Sequence, residues 1–128
     1  MLQDNLDFQS KYGFDKDEFD LKQLRFRVET LLSEEYGETI QAFKDGNAEE
    51  FVDGMIDMMV IILGTLSLAG VDIEKAWKEV FRANMSKVRG VKPGREHSGG
   101  VDVYKPEGWK SPDHSDNHGV LDDVFKES

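Results

Sequence analysis

The 128-residue sequence contains no cysteine. Disulfides, thiolate nucleophiles and cysteine-ligated zinc are therefore excluded, and we expect a cytoplasmic protein. Basic residues are also scarce, because 16 lysines and arginines stand against 26 aspartates and glutamates, giving a formal net charge of -10 at pH 7. Such a surface repels nucleic acid and anionic membranes, so neither is an expected partner. A phosphate-bearing substrate is compatible with this charge if a metal ion accompanies it.

Long hydrophobic runs are missing as well. The most apolar run, Met58–Leu63 with its neighbours, is much shorter than a membrane span, so we interpret it as part of a buried core helix. The first residues, MLQDNLDFQS, lack the basic region and apolar run of a secretory signal. The length suits one domain over residues 1–128, with a helical core at about 20–88 and a loop-rich tail at 89–128.

Three helices are predicted within this core. Each follows a residue whose side chain can accept a hydrogen bond from the first helical turn, namely Asp20, Asn47 and Asp72. The predicted spans are about 21–44, 48–69 and 73–88. The connections are so short that the second helix should run antiparallel to both neighbours. The sequence therefore predicts an all-α, antiparallel helical bundle.

Glycine and proline are concentrated after residue 90, so no long helix is expected there. Two short elements are predicted in this tail, an extended piece at Val101–Tyr104 and one or two helical turns at Val120–Phe125. Near the amino terminus, apolar residues at helical intervals predict a short helix over residues 2–12 and then a connector at 14–19. The histidines of the tail lack a metal-ligand spacing, and we expect them to be solvated.

The apolar stripe of the first long helix turns acidic without changing face. Leu24, Val28 and Leu31 follow the spacing of a packed helical face, and the next two positions on that face are Glu35 and Glu38. The matching stripe of the second helix reads Asp53, Asp57, Val60, Gly64 and Leu68. Antiparallel packing of the two helices would bring these acids together.

Carboxylates that face the interior of a helical bundle cost free energy. An ionised group removed from water without a partner costs several kcal/mol or more, and neighbouring like charges raise its pKa. A bound Mg²⁺ would compensate, because it takes oxygen ligands and is commonly shared with substrate phosphates. The alternative is that these acids form solvated helix faces, with Glu50 serving only as the capping partner of Asn47.

The third helix ends its inward stripe in polar residues. Ile73, Trp77 and Val80 define that stripe, and Asn84 and Lys87 are its next positions. An asparagine and a lysine placed there could hold the sugar and phosphates of a nucleotide. The alternative is a buried asparagine bonded to backbone, beside a lysine that reaches solvent.

Four segments of the chain together resemble a known protein family. They are LLSEEYGETIQAF, DGMIDMMVIILGTLSLAGVDI, EVFRANMSK and KPEGW. Together they resemble the all-α nucleoside triphosphate pyrophosphohydrolases of the MazG-like superfamily, which includes dimeric dUTPases and phosphoribosyl-ATP pyrophosphohydrolases. The resemblance covers most of residues 19–113, and it looks most like the MazG-like branch that carries the KPEGW segment.

The resemblance implies which acids form the site. The family pattern has two glutamates, two spacers and a glutamate on one helix, then a glutamate, two spacers and an aspartate on the next. Glu34, Glu35 and Glu38 match the first part, and Asp57 matches the final aspartate. Gly54 stands where the pattern has its remaining glutamate.

We assign four metal ligands on this basis, Glu35, Glu38, Asp53 and Asp57. Asp53 is chosen because it lies one turn before Asp57 on the predicted inward face. Glu50 with Asp53 would satisfy the family spacing one turn early, so Glu50 remains an alternative ligand.

The implied chemistry is hydrolysis of a nucleoside triphosphate to the monophosphate and pyrophosphate with Mg²⁺, for which Mn²⁺ is a possible substitute. One glutamate, Glu34 or Glu35, would orient or deprotonate the attacking water as the catalytic group.

Four further residues are expected to bind substrate, and all follow the acidic helices. Asn84 and Lys87 match the family's nucleotide-contacting helix end. Lys105 and Trp109 match a segment that resembles a lid, although Asp102 stands where relatives often have a lysine.

The resemblance also implies a homodimer or a homotetramer. Three helices of this length leave much apolar surface, and self-association is a natural way to bury it. The residues that suggest such a surface are Phe43, Phe51, Met55, Met59 and Ile62.

Two kinds of alternative stay open at the level of sequence. Within the enzyme class the substrate is dUTP, dCTP, a damaged nucleotide or phosphoribosyl-ATP, and the tail makes the last of these the least favoured. Outside that class, the chain would be a non-catalytic acidic protein such as a nucleic-acid mimic. A mimic needs its acids outside, whereas this sequence places several on core stripes.

Overall fold

Helices make up most of the chain in a computed structural model, which describes residues 1–13, 18–90, 94 and 102–127. The elements in chain order are α1 (Leu2–Lys11), α2 (Leu21–Arg25), a π-helical segment (Phe26–Leu32), α3 (Ser33–Asp45), α4 (Ala48–Leu68), α5 (Ile73–Met85), β1 (Val88–Arg89), β2 (Val103–Tyr104) and α6 (Leu121–Phe125). The predicted all-α class is confirmed. The chain forms two compact units, one of Met1–Ile73 with the segment from His118 onward, the other of Glu74–Asn117. The single domain expected from chain length stays a prediction.

Local capping chemistry sets where the long helices begin and end. The Asp20 carboxylate accepts a hydrogen bond from the Gln23 N–H at 2.8 Å, and the Asn47 side chain accepts one from the Glu50 N–H at 3.1 Å. α2, the π-helical segment and α3 follow one another without a break until Gly46, whose φ of 66° ends the helix. The first predicted long helix and both caps are therefore confirmed.

The π-helical segment changes which side chains face α4. Leu24 is buried as predicted, but Val28 is 47% exposed. Arg27 is half-buried instead, and its Nε donates a hydrogen bond to the Thr65 hydroxyl on α4 at 2.8 Å. A π-helical turn bonds residues five apart rather than four, so it rotates the following chain away from a stripe of period 3.6. The prediction that places Val28 on the inward stripe is therefore wrong.

The first two long helices run antiparallel, as predicted. Arg27 bonds to Thr65 near one end of the pair, and Thr39 lies against Gly54 nearer the other end. Gly64 is also buried, and a Cβ added there would lie 2.5 Å from Arg27 Nη2. These two glycines of α4 therefore mark the places where the neighbouring helix comes close.

The buried face of α4 differs in its middle from the predicted one. Gly64 and Leu68 are buried as expected, whereas Val60 is exposed and Ile61 is partly buried. The face that packs on α3 and the π-helical segment follows the close-approach positions Gly54 and Gly64, and Val60 lies off that line. The inward placement of Val60 is therefore wrong.

The predicted amino-terminal helix is confirmed as α1, but its buried side chains are polar. Asn5 donates a hydrogen bond to the Val60 carbonyl at 3.0 Å, and Gln9 donates one to Asn5 Oδ1 at 2.9 Å. The apolar residues Phe8 and Tyr12 are exposed. Both buried amides have hydrogen-bond partners, which removes most of the cost of placing polar groups in packing.

The hydrophobic core of the first unit lies at the end of α4 that is remote from the acids. It consists of Phe19, Leu24, Leu68, Ala69 and Val124, with Leu21, Val71 and Leu121 packed against it. The carboxy-terminal segment reaches this core as α6, which confirms the helical turns predicted there. The Val120 N–H donates to the Ala69 carbonyl at 2.8 Å, and Gly119 comes so close to the same carbonyl that a Cβ on it would overlap the oxygen.

The second unit contains α5 and a two-stranded antiparallel ribbon. Val88 pairs with Tyr104 and Arg89 pairs with Val103. The third predicted helix thus ends at Met85, earlier than expected, because the chain turns there into β1. The extended piece predicted at Val101–Tyr104 is confirmed for Val103–Tyr104, whereas residue 101 lies outside the described residues, as do residues 14–17 of the predicted connector.

By length and composition alone, α4 could also cross a membrane, and only 22% of its most apolar stretch is buried within the chain. Core helices of soluble proteins reach the same length and apolar composition. α4 also carries Asp53 and Asp57 in its first half. Its outward face is apolar and exposed.

Candidate functional site

Two antiparallel helices bring five carboxylates into one region. We call this set the acid cluster, and it consists of Glu34, Glu35 and Glu38 on α3 and Asp53 and Asp57 on α4. Glu35 and Asp57 are partly buried, whereas the other three are exposed. The prediction that Glu38 and Asp53 face inward is therefore wrong. They flank the helix contact, because Thr39 and Gly54, the residues after them, take the buried positions.

Glu35 is the member of the acid cluster whose pKa is affected by all four of the others. Partial burial raises its pKa, and the charges of Asp57, Glu38, Asp53 and Glu34 raise it further, in that order of importance. Each of these effects acts in the same direction, because burial and like charge both disfavour the ionised form. The acids of both helices therefore form one electrostatic group, as the sequence predicts for antiparallel packing.

No protein cation neutralises the acid cluster within the described part of the chain. Arg25 pairs with Glu29 at 3.9 Å, one turn before the cluster begins. Arg27 donates to Thr65 on the opposite helix. Neither of these nearby arginines bonds to the cluster, and none of its five carboxylates forms an ion pair with any described residue. The repulsion is thus left for solvent or a bound cation to relieve.

The chemistry of the donor set suits a hard divalent cation. All five side chains offer carboxylate oxygens, the ligands that Mg²⁺ and Mn²⁺ prefer, with no thiolate or imidazole among them. Across residues 1–13, 18–90, 94 and 102–127, no three acidic or histidine side chains converge closely enough to coordinate an ion as they stand. The fit therefore rests on the type of donor, on the two helices that supply it and on the unrelieved charge.

Glu50 stands apart from the acid cluster. It lies in the first turn of α4, where its N–H donates to the Asn47 side chain, and its own side chain is exposed. Its charge is not among those that raise the pKa of Glu35. The geometry therefore supports a capping position for Glu50.

The second unit brings together three of the four predicted substrate-binding residues. The Trp109 ring has the ammonium of Lys105 4.9 Å and that of Lys87 5.5 Å from its centroid, which is cation–π distance. Trp109 Nε1 also donates to the Ala83 carbonyl on α5 at 2.8 Å, which holds the ring against the helix end. Asn84 is exposed beside this group, so the alternative of a buried asparagine is wrong.

Sequence patterns missed two residues that shape the site. Thr39 and Gly54 are buried between the rows of acids, although neither belongs to an apolar stripe. A glycine within an otherwise apolar helix is the one available signal, since it often marks a close approach of another backbone. Its partner on α3 could not be chosen without the register of the two helices.

Fold and acids together define an all-α protein with a cluster of carboxylates on two antiparallel helices. The family model described as phosphoribosyl-ATP pyrophosphohydrolase matches residues 2–84, which is more than half of the chain. The chain belongs to this family, within the MazG-like nucleoside triphosphate pyrophosphohydrolases. No curated protein matches the chain.

Membership establishes the class of reaction. The chain is a nucleotide pyrophosphohydrolase, a hydrolase that acts on phosphoanhydride bonds. The resemblance expected from the four sequence segments is confirmed, and the non-catalytic nucleic-acid mimic is not retained.

The raised pKa of Glu35 predicts how the metal-free fold responds to pH. Because the folded state binds this proton more tightly than the unfolded state, ionisation of Glu35 destabilises the fold as pH rises through the ordinary glutamate range. Glu35→Gln should therefore raise the melting temperature at about pH 7.5 and leave it unchanged at about pH 3, where the carboxyl is protonated in both states. Circular dichroism melts in chelator measure both values.

The matched control is Glu49→Gln, which removes an exposed acid from the first turn of α4, outside the acid cluster. Its melting temperature should not rise, because a negative charge at a helix amino terminus is favourable. A Glu35→Gln protein that melts at or below the wild-type temperature at neutral pH would show that the repulsion is absent.

Proposed function

We propose that this chain hydrolyses a (deoxy)nucleoside triphosphate to the monophosphate and pyrophosphate with Mg²⁺, and that Mn²⁺ can replace it. One observation carries the proposal, namely five carboxylates on two antiparallel helices that form no ion pair with any described residue, in a member of a pyrophosphohydrolase family. A protein of net charge -10 repels a polyphosphate unless a cation lies between them. The acid cluster is the place where the protein attracts such a cation most strongly.

The ligands we propose are Glu35, Glu38, Asp53 and Asp57. The ion, when bound, would neutralise phosphate charge and lower the pKa of its water. Glu35 and Asp57 are the partly buried pair at the centre, and Glu38 and Asp53 extend the donors toward solvent. This order places the least solvated oxygens where a cation stabilises them most.

We assign proton transfer to Glu34 or Glu35. Glu34 is exposed on α3, so its carboxylate is accessible to the attacking water. Glu35, whose pKa is raised, holds a proton more tightly than an ordinary glutamate in the metal-free protein. Asn84, Lys87, Lys105 and Trp109 are the groups we propose for the nucleotide. The two ammonium groups at the Trp109 ring carry the positive charge that attracts a phosphate group.

Phosphoribosyl-ATP is the second candidate substrate, because the matching family model carries that name. It contains the same phosphoanhydride bonds as a nucleoside triphosphate, so the acid cluster would have the same task. The difference lies in the group attached to the adenine. A screen of dUTP, dCTP, the other common triphosphates and phosphoribosyl-ATP separates the candidates.

The reaction test is pyrophosphate release with Mg²⁺. The wild-type protein should release pyrophosphate rather than phosphate, and chelator should abolish the release. Glu38→Ala should lower kcat/KM by at least about 100-fold, since it removes a proposed ligand to the ion. Glu49→Ala, which removes an acid outside the cluster, should retain activity. Full activity in chelator or in Glu38→Ala would overturn the proposed function.

We further propose a homodimer or homotetramer in the cytoplasm, with no membrane partner. The exposed side of α4 carries an apolar stripe, and Phe43 on α3 is also exposed. The stripe comprises Val52, Met55, Ile56, Met59 and Ile62. A second copy is favoured over lipid because Asp53 and Asp57 lie on the same helix, and an acid within a membrane span costs about 2.5–3.5 kcal/mol. Self-association would cover the stripe and leave the acids in water.

The assembly test is molar mass in solution. Ile56→Lys places a charge in the middle of the stripe, so light scattering should show a shift toward monomer. Phe125→Lys changes an exposed apolar residue on α6, away from the stripe, and should keep the wild-type mass. A wild-type protein that is monomeric in solution would contradict the assembly without affecting the reaction test.

A further inference from the structure

A close approach between α3 and α4 lies beside the acid cluster. Thr39 is only 3% exposed, and its hydroxyl donates to the Glu35 carbonyl at 2.7 Å. This bond fixes the hydroxyl against its own helix. Gly54 on α4 is buried against it, and a Cβ added there would overlap the Thr39 hydroxyl oxygen. The same Cβ would lie 3.2 Å from Thr39 Cβ and 3.6 Å from Thr39 Cα.

The contact sits between the two rows of carboxylates. Thr39 directly follows Glu38 and lies one turn after Glu35, whose carbonyl it bonds. Gly54 directly follows Asp53 and lies three residues before Asp57 on the same helix. The distance between the helices at this point therefore decides how far apart the opposing carboxylates are.

This approach is less adjustable than the other glycine contact of α4. At Gly64 the nearest atom to an added Cβ is Arg27 Nη2, the far end of a flexible side chain. At Gly54 the nearest atoms belong to a short, buried side chain and then to the backbone of α3. A methyl group on residue 54 would have to push the helices apart by about 1 Å or more to reach normal contact distance.

We propose that the Thr39–Gly54 contact positions the metal ligands, by setting the helix separation at which carboxylates of α3 and α4 reach one ion. The inference rests on the proposed function. Mg²⁺ demands near-ideal geometry at short metal–oxygen distances. If the helices moved apart by about 1 Å, carboxylates of α3 and α4 would no longer reach the same ion. Thr39 and Gly54 are positioning residues, since neither offers a ligand.

The contact also gives a physical reason for the departure from the acidic family pattern at residue 54. Gly54 occupies the position of a patterned glutamate, and no side chain fits there beside Thr39. Asp53, one residue earlier and exposed, supplies an acid from the same turn. Restoring a glutamate with Gly54→Glu should therefore weaken metal binding rather than improve it.

The test is the affinity for Mn²⁺ alone, measured by electron paramagnetic resonance on the full chain. Gly54→Ala should bind Mn²⁺ at least about tenfold more weakly than wild type, and half-maximal pyrophosphate release should need correspondingly more metal. Adding Thr39→Ala, which removes the overlapping oxygen, should bring the double variant to within about threefold of wild type. Gly64→Ala, about 15 Å farther along α4, is the matched packing control and should keep wild-type affinity.

The Mn²⁺ affinities separate a failure of the proposed function from a failure of the positioning role. If wild type binds no Mn²⁺, the proposed function fails. If wild type binds Mn²⁺ and folded Gly54→Ala binds it equally well, or Gly64→Ala loses as much affinity, only the positioning role is overturned. If Gly54→Ala does not fold, the comparison moves to the Thr39→Ala background. There, the Gly54→Ala change should cost less than about threefold, and a larger loss would overturn the proposal.

Discussion

Mutual repulsion among carboxylates held on two packed helices is the constraint around which the first unit is arranged. The repulsion is seen in the pKa of Glu35. Burial and four neighbouring acids raise this pKa, and no described cation lowers it. The missing side chain at Gly54 lets α4 pack closely against Thr39 of α3 in spite of this repulsion. The favourable packing that balances this cost lies at the other end of α4, where the carboxy-terminal helix closes an apolar core.

The same arrangement supports both the proposed cation site and the proposed self-association. The acid cluster and the strongly negative surface repel a polyphosphate unless a divalent ion is bound. The family defines the reaction as hydrolysis of a phosphoanhydride bond, and the acids provide the donor set that such chemistry uses. On its exposed side, α4 presents an apolar stripe that one copy of the chain leaves uncovered. α4 contributes to both features, since it carries Asp53 and Asp57 as well as the apolar stripe, and α3 supplies the other acids.

Sequence reasoning succeeded where the signal is local. The caps at Asp20 and Asn47 and the antiparallel pairing of the long helices follow from residues within one turn of each break. It failed at Val28, because a π-helical segment shifts the phase of a stripe that was projected with a constant period. The five acids could be found by spacing and resemblance. Which of them are buried depends on the contact between Thr39 and Gly54, which only the register of two helices reveals.

Binding of a divalent cation among the carboxylates of the acid cluster is tested most directly by titrating Mn²⁺ into the isotope-labelled protein and following carboxyl carbon resonances by NMR. Below one equivalent, signals from Glu35, Glu38, Asp53 and Asp57 should broaden first and together, because paramagnetic relaxation falls steeply with distance from the ion. Equal broadening over the acidic surface, or broadening that begins at exposed acids such as Glu49, would contradict the account.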